Sequence, residues 1–147
     1  MQLKKALTFR ASSIGDCLMG KYLLENIHEQ FPDARLAIVV ASRAGMIRDL
    51  FRAYPWLEVL EVNRHNPRSV FSLWKNFYGS DLVVTQYAGK KGGKFSFASK
   101  LVAWLLVKRG GLVGFVDASH WNSFLYDELL PVHADKAVVE HDREALR

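Results

Sequence analysis

The sequence holds one cysteine, Cys17, among 147 residues, which excludes an internal disulfide. Cys17 also has no companion at metal-ligand spacing, a usage that fits a reducing compartment. The longest apolar run, residues 101–107, falls far short of the ~20 residues that cross a bilayer. Residues 1–9 carry two lysines but neither a signal-peptide core nor a small-residue cleavage site, so a cytoplasmic location is expected. No Asp-x-Asp triplet occurs, which removes the usual carboxylate handle of metal-dependent nucleotide-sugar enzymes. His28 and His65 have no second histidine at helical spacing, and His133 and His141 lie too far apart for one helix face, so no metal site is expected. Residues 10–15 contain a single glycine and fail the dinucleotide fingerprint. Residues 89–94 (Gly-Lys-Lys-Gly-Gly-Lys) fail the Walker A pattern, because Ala88 and Phe95 stand where glycine and Ser or Thr belong.

What is present is ordinary for a globular domain. Hydrophobic residues make up 50% and charged ones 24%, a balance that excludes disorder and fibrous repeats, and the length suits one domain over residues 1–147. The formal charge of +5 favours anionic partners, among them phosphorylated sugars, acidic lipid headgroups and nucleic acid. Apolar runs at 3–9, 36–41, 57–62, 81–86 and 112–116 predict strands. Between them, Leu23, Ile27 and Phe31 predict a first helix ended by Pro32. Ile47, Leu50, Phe51 and Tyr54 predict the buried face of a second helix closed by Pro55, and Val70, Phe71, Trp74 and Phe77 that of a third. A fourth helix is predicted over 97–108, apolar almost all round and therefore buried. Its basic flanks also allow a secondary reading, contact with a membrane surface. Residues 124–132 read as a last strand or an extended loop, and 135–146 as helical. Strands alternating with helices predict a Rossmann-like α/β fold, a parallel sheet with helices on both faces.

In such a sheet ligands bind beyond the carboxyl ends of the strands, so the strand-to-helix loops contribute to one cleft. They supply Arg10, Ser12, Ser13 and Asp16; Ser42 and Arg43; Arg64, His65 and Arg68; Gln86, Lys90, Lys91 and Lys94; and Asp117, Ser119 and His120. One carboxylate at a helix start among many cations suits an anionic acceptor whose hydroxyl must lose a proton. Two roles stand open for Asp16. It is an acid favoured by the helix dipole, worth about 0.3–1 kcal/mol, and it is a carboxylate able to take a proton. The aromatics Trp74, Tyr78 and Tyr87 are compatible with nucleic-acid binding, but those on predicted helices are assigned to the core, so no nucleic acid is expected.

Residues 7–16 read Leu-Thr-Phe-Arg-Ala-Ser-Ser-Ile-Gly-Asp and are followed by Leu18. This opening resembles that of glycosyltransferase family 9, which includes the ADP-heptose:lipopolysaccharide heptosyltransferases. The resemblance continues through residues 29–34 (Glu-Gln-Phe-Pro-Asp-Ala), Pro55, residues 81–84 with Gln86, and residues 113–115 (Val-Gly-Phe). It implies the N-terminal, acceptor-side half of a GT-B enzyme that inverts configuration without a metal or other cofactor. A nucleotide diphosphate sugar resembling ADP-heptose is the implied donor, and the anionic core of a lipopolysaccharide or a related glycolipid the implied acceptor. Asp16 is the implied base. Arg10, Ser12, Ser13, Arg64, Arg68, Gln86 and Lys94 are the expected acceptor contacts, the charged ones by loop position and charge. The family's Asp-x-Gln-Gly strand ending is Thr85-Gln86-Tyr87-Ala88 here. The nucleotide-sugar domain of the family is expected to be missing from this chain, which alone is then expected to be inactive or nearly so. Peripheral contact with the cytoplasmic face of the inner membrane is the associated expectation. A module that binds phosphorylated glycan or nucleotide without turnover is the alternative.

Overall fold

The computed structural model describes residues 2–10, 13–63, 65–85, 97–116, 123–131 and 140. The apolar runs form β1 (Lys5–Arg10), β2 (Arg35–Val40), β3 (Leu57–Glu61), β4 (Leu82–Thr85) and β5 (Leu112–Val116). Helices α1 (Ile14–Gln30), α2 (Ala44–Leu50), α3 (Pro67–Phe77) and α4 (Phe97–Leu106) alternate with them. The ambiguous stretch near the end holds a short 3-10 turn (Ser123–Leu125) and a sixth strand, β6 (Glu128–Pro131). Of the helix predicted over 135–146 only Glu140 is among the described residues, and it is helical.

All neighbouring strands run parallel in the order β3-β2-β1-β4-β5-β6. Because strand side chains alternate, each central strand feeds two cores. Ala6, Leu36, Ile38 and Val40 face α1 and α2 and pack with Leu23, Leu24, Ile27 and Ile47. Leu7, Phe9, Ala37 and Val39 face the other way, with Leu73 and Phe77 of α3 and Ala103 and Leu106 of α4. Burial on both faces explains why the runs are continuously apolar rather than alternating. The chain builds outward from β1 through β2 to β3, then returns to place β4 on the other side of β1. The β1/β4 junction is therefore the topological switch point, where open α/β sheets bind ligands.

Three expectations need correction. α2 ends at Leu50, which is exposed. Phe51 is buried just beyond the helix, and Tyr54 sits in a turn where its ring meets those of Phe51 and Trp56. In α3 the buried pair is Leu73 and Phe77, whereas Phe71 and Trp74 face outward and Tyr78, just beyond, is exposed as well. In α4 the burial runs down one side only, leaving Leu101, Trp104 and Leu105 exposed.

Asp81 ties three parts of the sheet together. Its carboxylate accepts the amides of Lys4 at 2.7 Å and Lys5 at 3.0 Å, and the Lys108 ammonium at 2.6 Å. Burial pushes the Asp81 carboxyl up, but Lys108 and the two amides outweigh it and hold it below its ordinary value. A depressed folded value means the stabilisation is present above the unfolded value, ~4, and is lost as pH falls through the folded one. Asp81→Asn is expected to lower stability at neutral pH by about 1–2 kcal/mol, since the amides keep only a neutral acceptor and Lys108 loses its partner. Urea melts of the two proteins at pH 7 check this, and repeating them under increasingly acidic conditions is expected to narrow the gap.

Candidate active site at the carboxyl edge of the sheet

The turn after β1 is built around Ser13. Its hydroxyl accepts the backbone amide of Asp16 at 3.1 Å, which caps α1, and donates in turn to the Asp16 carboxylate. This reciprocal pairing satisfies one of the free amides at the helix start and fixes the carboxylate in the first turn. Asp16 is half-buried and Ser13 exposed, so the carboxylate is reachable from the edge. Both open roles for Asp16 are thus geometrically available.

Arg10 takes a different place from an open acceptor contact. It is 3% exposed, and its Nε donates to the Thr8 hydroxyl at 2.8 Å. It lies against α1 where Gly20 leaves room: a Cβ there would stand 2.5 Å from that nitrogen. Arg10 is therefore packed between β1 and α1 rather than presented at the open edge. Cys17, beside it, is buried, and burial pushes its thiol up to about 11, with Arg10 lowering and Asp16 raising the value. A thiol so raised stays protonated at neutral pH and is no nucleophile.

The turn after β2 brings Ser42 and Arg43 to the same edge, both exposed. Arg43, in the left-handed region at φ 60°, gives α2 no side-chain cap. The cap comes from Glu61 at the end of β3, whose carboxylate accepts the Ala44 amide at 3.2 Å. Glu61 is thus a second carboxylate at this edge that sequence reasoning missed, since a glutamate closing a strand looks like a solvated end. The turn after β3 places Asn66, which accepts the Arg68 amide at 3.1 Å, before Pro67 at the first helical position. Arg68 is exposed in the first turn of α3, with His65 exposed just before it. Ser12, Arg64, Gln86, Lys90, Lys91, Lys94, Asp117, Ser119 and His120 lie outside the described residues. Beside the end of β4, the Thr85 and Tyr126 hydroxyls are 3.0 Å apart, and Lys100 lies 5.7 Å over the Tyr126 ring. Burial lowers the Lys100 ammonium and raises the Tyr126 hydroxyl. Lys100 reads in the sequence as a basic flank, and nothing there signals its burial.

A groove of about 470 Å³ runs along β3, lined by Arg48, Phe51, Tyr54 and residues 57–60. β3 is one of the two edge strands, so this groove is a feature of the sheet's side, apart from the carboxyl edge. Among the described residues no three His, Cys, Asp or Glu side chains group as metal ligands, and no helix is long and apolar enough to cross a membrane.

A doubly wound parallel sheet with a capped carboxylate beside its switch point defines a Rossmann-like α/β domain. The same fold recurs in solved glycosyltransferases. The E. coli heptosyltransferase WaaC, solved with ADP, superposes with a TM-score of 0.65 at 18% identity, covering 96% of this chain and 45% of that one. A family 9 glycosyltransferase from Veillonella parvula superposes with a TM-score of 0.67 at 9% identity, covering 99% of this chain and 41% of that one. The chain has a glycosyltransferase-like fold and spans less than half the length of these two structures. No family model and no curated protein sequence matches it.

Proposed function

We propose that this chain is the acceptor-binding half of an inverting, metal-independent glycosyltransferase that moves a heptose or similar sugar from a nucleotide diphosphate to an anionic glycan of the lipopolysaccharide-core type. The observation that carries the reading is Asp16, held by Ser13 at the amino end of α1 beside the β1/β4 switch point. The fold it shares with a heptosyltransferase solved with ADP supports the choice of donor class.

In this reading the acceptor hydroxyl gives its proton to the Asp16 carboxylate while its oxygen bonds to the anomeric carbon. The bond from that carbon to the diphosphate breaks on the opposite face, and the nucleotide diphosphate leaves with the electron pair. Arg68 supplies a donor for the acceptor's charged groups, a role that the sequence also assigns to Arg64, Gln86 and Lys94. Ile14 and Met46, in the first turns of α1 and α2, are exposed at the same edge, as suits a surface covered by a donor-binding half.

One observation favours the alternative of a binding module without turnover: the Ser13 hydroxyl already occupies Asp16, and a cap alone accounts for that pair. Both readings expect a phosphorylated glycan to bind, so calorimetric titration of such a glycan into the chain comes first. Saturable binding weakened by Arg68→Ala, about tenfold for one lost charged contact, is the expected result. Absence of binding contradicts the transfer reading and leaves the module only a nucleotide ligand, and where the glycan binds turnover separates the two.

A further inference from the structure

β3 is an edge strand, so alternate residues along it turn their backbone groups away from the sheet. The Val62 amide donates to the Val40 carbonyl at 2.9 Å, and Leu60 lies opposite Val39. Because the direction alternates along a parallel strand, Glu58 and Leu60 bond to β2, while Leu57, Val59 and Glu61 point their amides and carbonyls outward. The Leu57 amide donates to the Tyr54 carbonyl at 3.0 Å, and the Val59 carbonyl accepts Arg48 Nε at 3.2 Å. Arg48 thus lies along the edge and covers its middle, as charged side chains do where a strand must be kept from pairing. The groove beside this edge is lined by Phe51, Tyr54 and Pro55 on its apolar side.

An extended strand laid along the groove would pair with the outward groups, the mode by which peptides add to a sheet edge. Charge decides whose strand fits. Arg48 and Arg52, both exposed, line the groove, and the acid that lines it, Glu58, is held by Arg35, whose Nη2 donates to it at 3.0 Å. A second copy adding β3 to β3 about a two-fold axis, with the strands in full overlap, would set Val59 opposite its own copy and Arg48 against Arg48. Like charges so placed oppose that pairing. An acidic strand meets no such repulsion, and its carboxylates offer Arg48 a stronger acceptor than the carbonyl it now holds.

We propose that the β3 edge and its groove bind an extended acidic segment of a partner protein as an added strand. Arg48 moves from the Val59 carbonyl to a carboxylate of the segment, which releases that carbonyl for the incoming backbone. Arg52 meets a second carboxylate, and an apolar side chain of the segment packs against Phe51 and Tyr54. This goes beyond the proposed transfer reaction and does not depend on it.

The test is fluorescence anisotropy of a labelled peptide, Gly-Glu-Val-Glu-Val-Glu-Gly, titrated with the full chain. Saturable binding weakened by salt is the expected result. Arg48→Glu with Arg52→Glu is expected to weaken it at least ~10-fold. The same peptide N-methylated along its backbone keeps its charges but lacks amide donors, and it is expected to bind at least ~10-fold more weakly. That comparison leaves the chain unaltered and decides the matter if the charge-reversed variant fails to fold. Lys75→Glu with Arg109→Glu changes as much charge away from the groove and is expected to alter binding by less than ~2-fold. No binding of the acidic peptide, equal binding of its N-methylated form, or binding indifferent to Arg48→Glu with Arg52→Glu overturns the proposal. So does a concentration-dependent dimer that excludes the peptide, which would assign the edge to a second copy.

Discussion

Asp16→Asn, in the chain joined to a nucleotide-sugar-binding half, is expected to lower kcat by ~10²–10⁴-fold while leaving acceptor affinity nearly unchanged. The substitution is nearly isosteric, and its amide oxygen still accepts from the Ser13 hydroxyl. The cap itself runs from the Asp16 backbone amide to Ser13 and does not involve the carboxylate. What disappears is the capacity to take a proton, along with a helix-dipole contribution of about 0.3–1 kcal/mol. Ser13→Ala provides the contrasting variant. It removes the cap, costs about 1 kcal/mol of stability, and leaves the carboxylate in place, so its effect on turnover is expected to be much smaller. If the two variants lose turnover equally, Asp16 serves the helix start rather than the reaction. Steady-state kinetics alongside thermal melts separates these outcomes.

Gly114→Ala is expected to cost about 2–3 kcal/mol and lower Tm by roughly 5–10 °C, read by calorimetry. Gly114 lies in β5, and the Tyr126 ring lies directly on it: an added Cβ would stand 2.2 Å from a ring carbon, with two more within 2.7 Å. The ring has little freedom to lift. It packs against the core between the sheet and the α3–α4 layer, and its hydroxyl is 3.0 Å from that of Thr85. Displacing it also removes Lys100 from the ring face. Gly45→Ala in α2 is the comparator. A Cβ there meets nothing within 4 Å, so the gain in helix propensity is expected to leave stability equal or raised by up to ~1 kcal/mol.

The alternation of β-branched runs with helical segments was enough to read five strands, four helices and the α/β class, because in a parallel sheet burial on both faces makes the strands continuously apolar. The spacing of apolar residues in a helix, by contrast, does not say which stripe is buried. In α3 the stripes 73 and 77 and 71 and 74 are both apolar, and only the position of the sheet selects the first. The apparent extension of α2 to Tyr54 has a related cause. Phe51, Tyr54 and Trp56 pack on one another, and Trp56 stacks on His28 of α1 at 4.4 Å, so apolar spacing persists after the helix has ended.

At the site, Ser13 and Asp16 were legible as residues of the first loop, though not as a cap and its partner three residues on. Glu61 was not, since its bond to Ala44 spans seventeen residues and exists only once β3 lies beside β2. Arg10 was legible as a cation in the first loop, but not as a buried one. Its burial depends on Gly20, two turns into α1, which sequence reasoning had no cause to pair with it.

The central claim is tested most directly by measuring sugar transfer from ADP-heptose to a phosphorylated lipopolysaccharide-core acceptor, with this chain alone and with the chain joined to a nucleotide-sugar-binding half. The account predicts negligible turnover for the chain alone, turnover with inversion at the anomeric carbon for the joined protein, and its loss in Asp16→Asn. Saturable acceptor binding with no transfer by a joined protein that binds the donor, or transfer indifferent to Asp16→Asn, would contradict it.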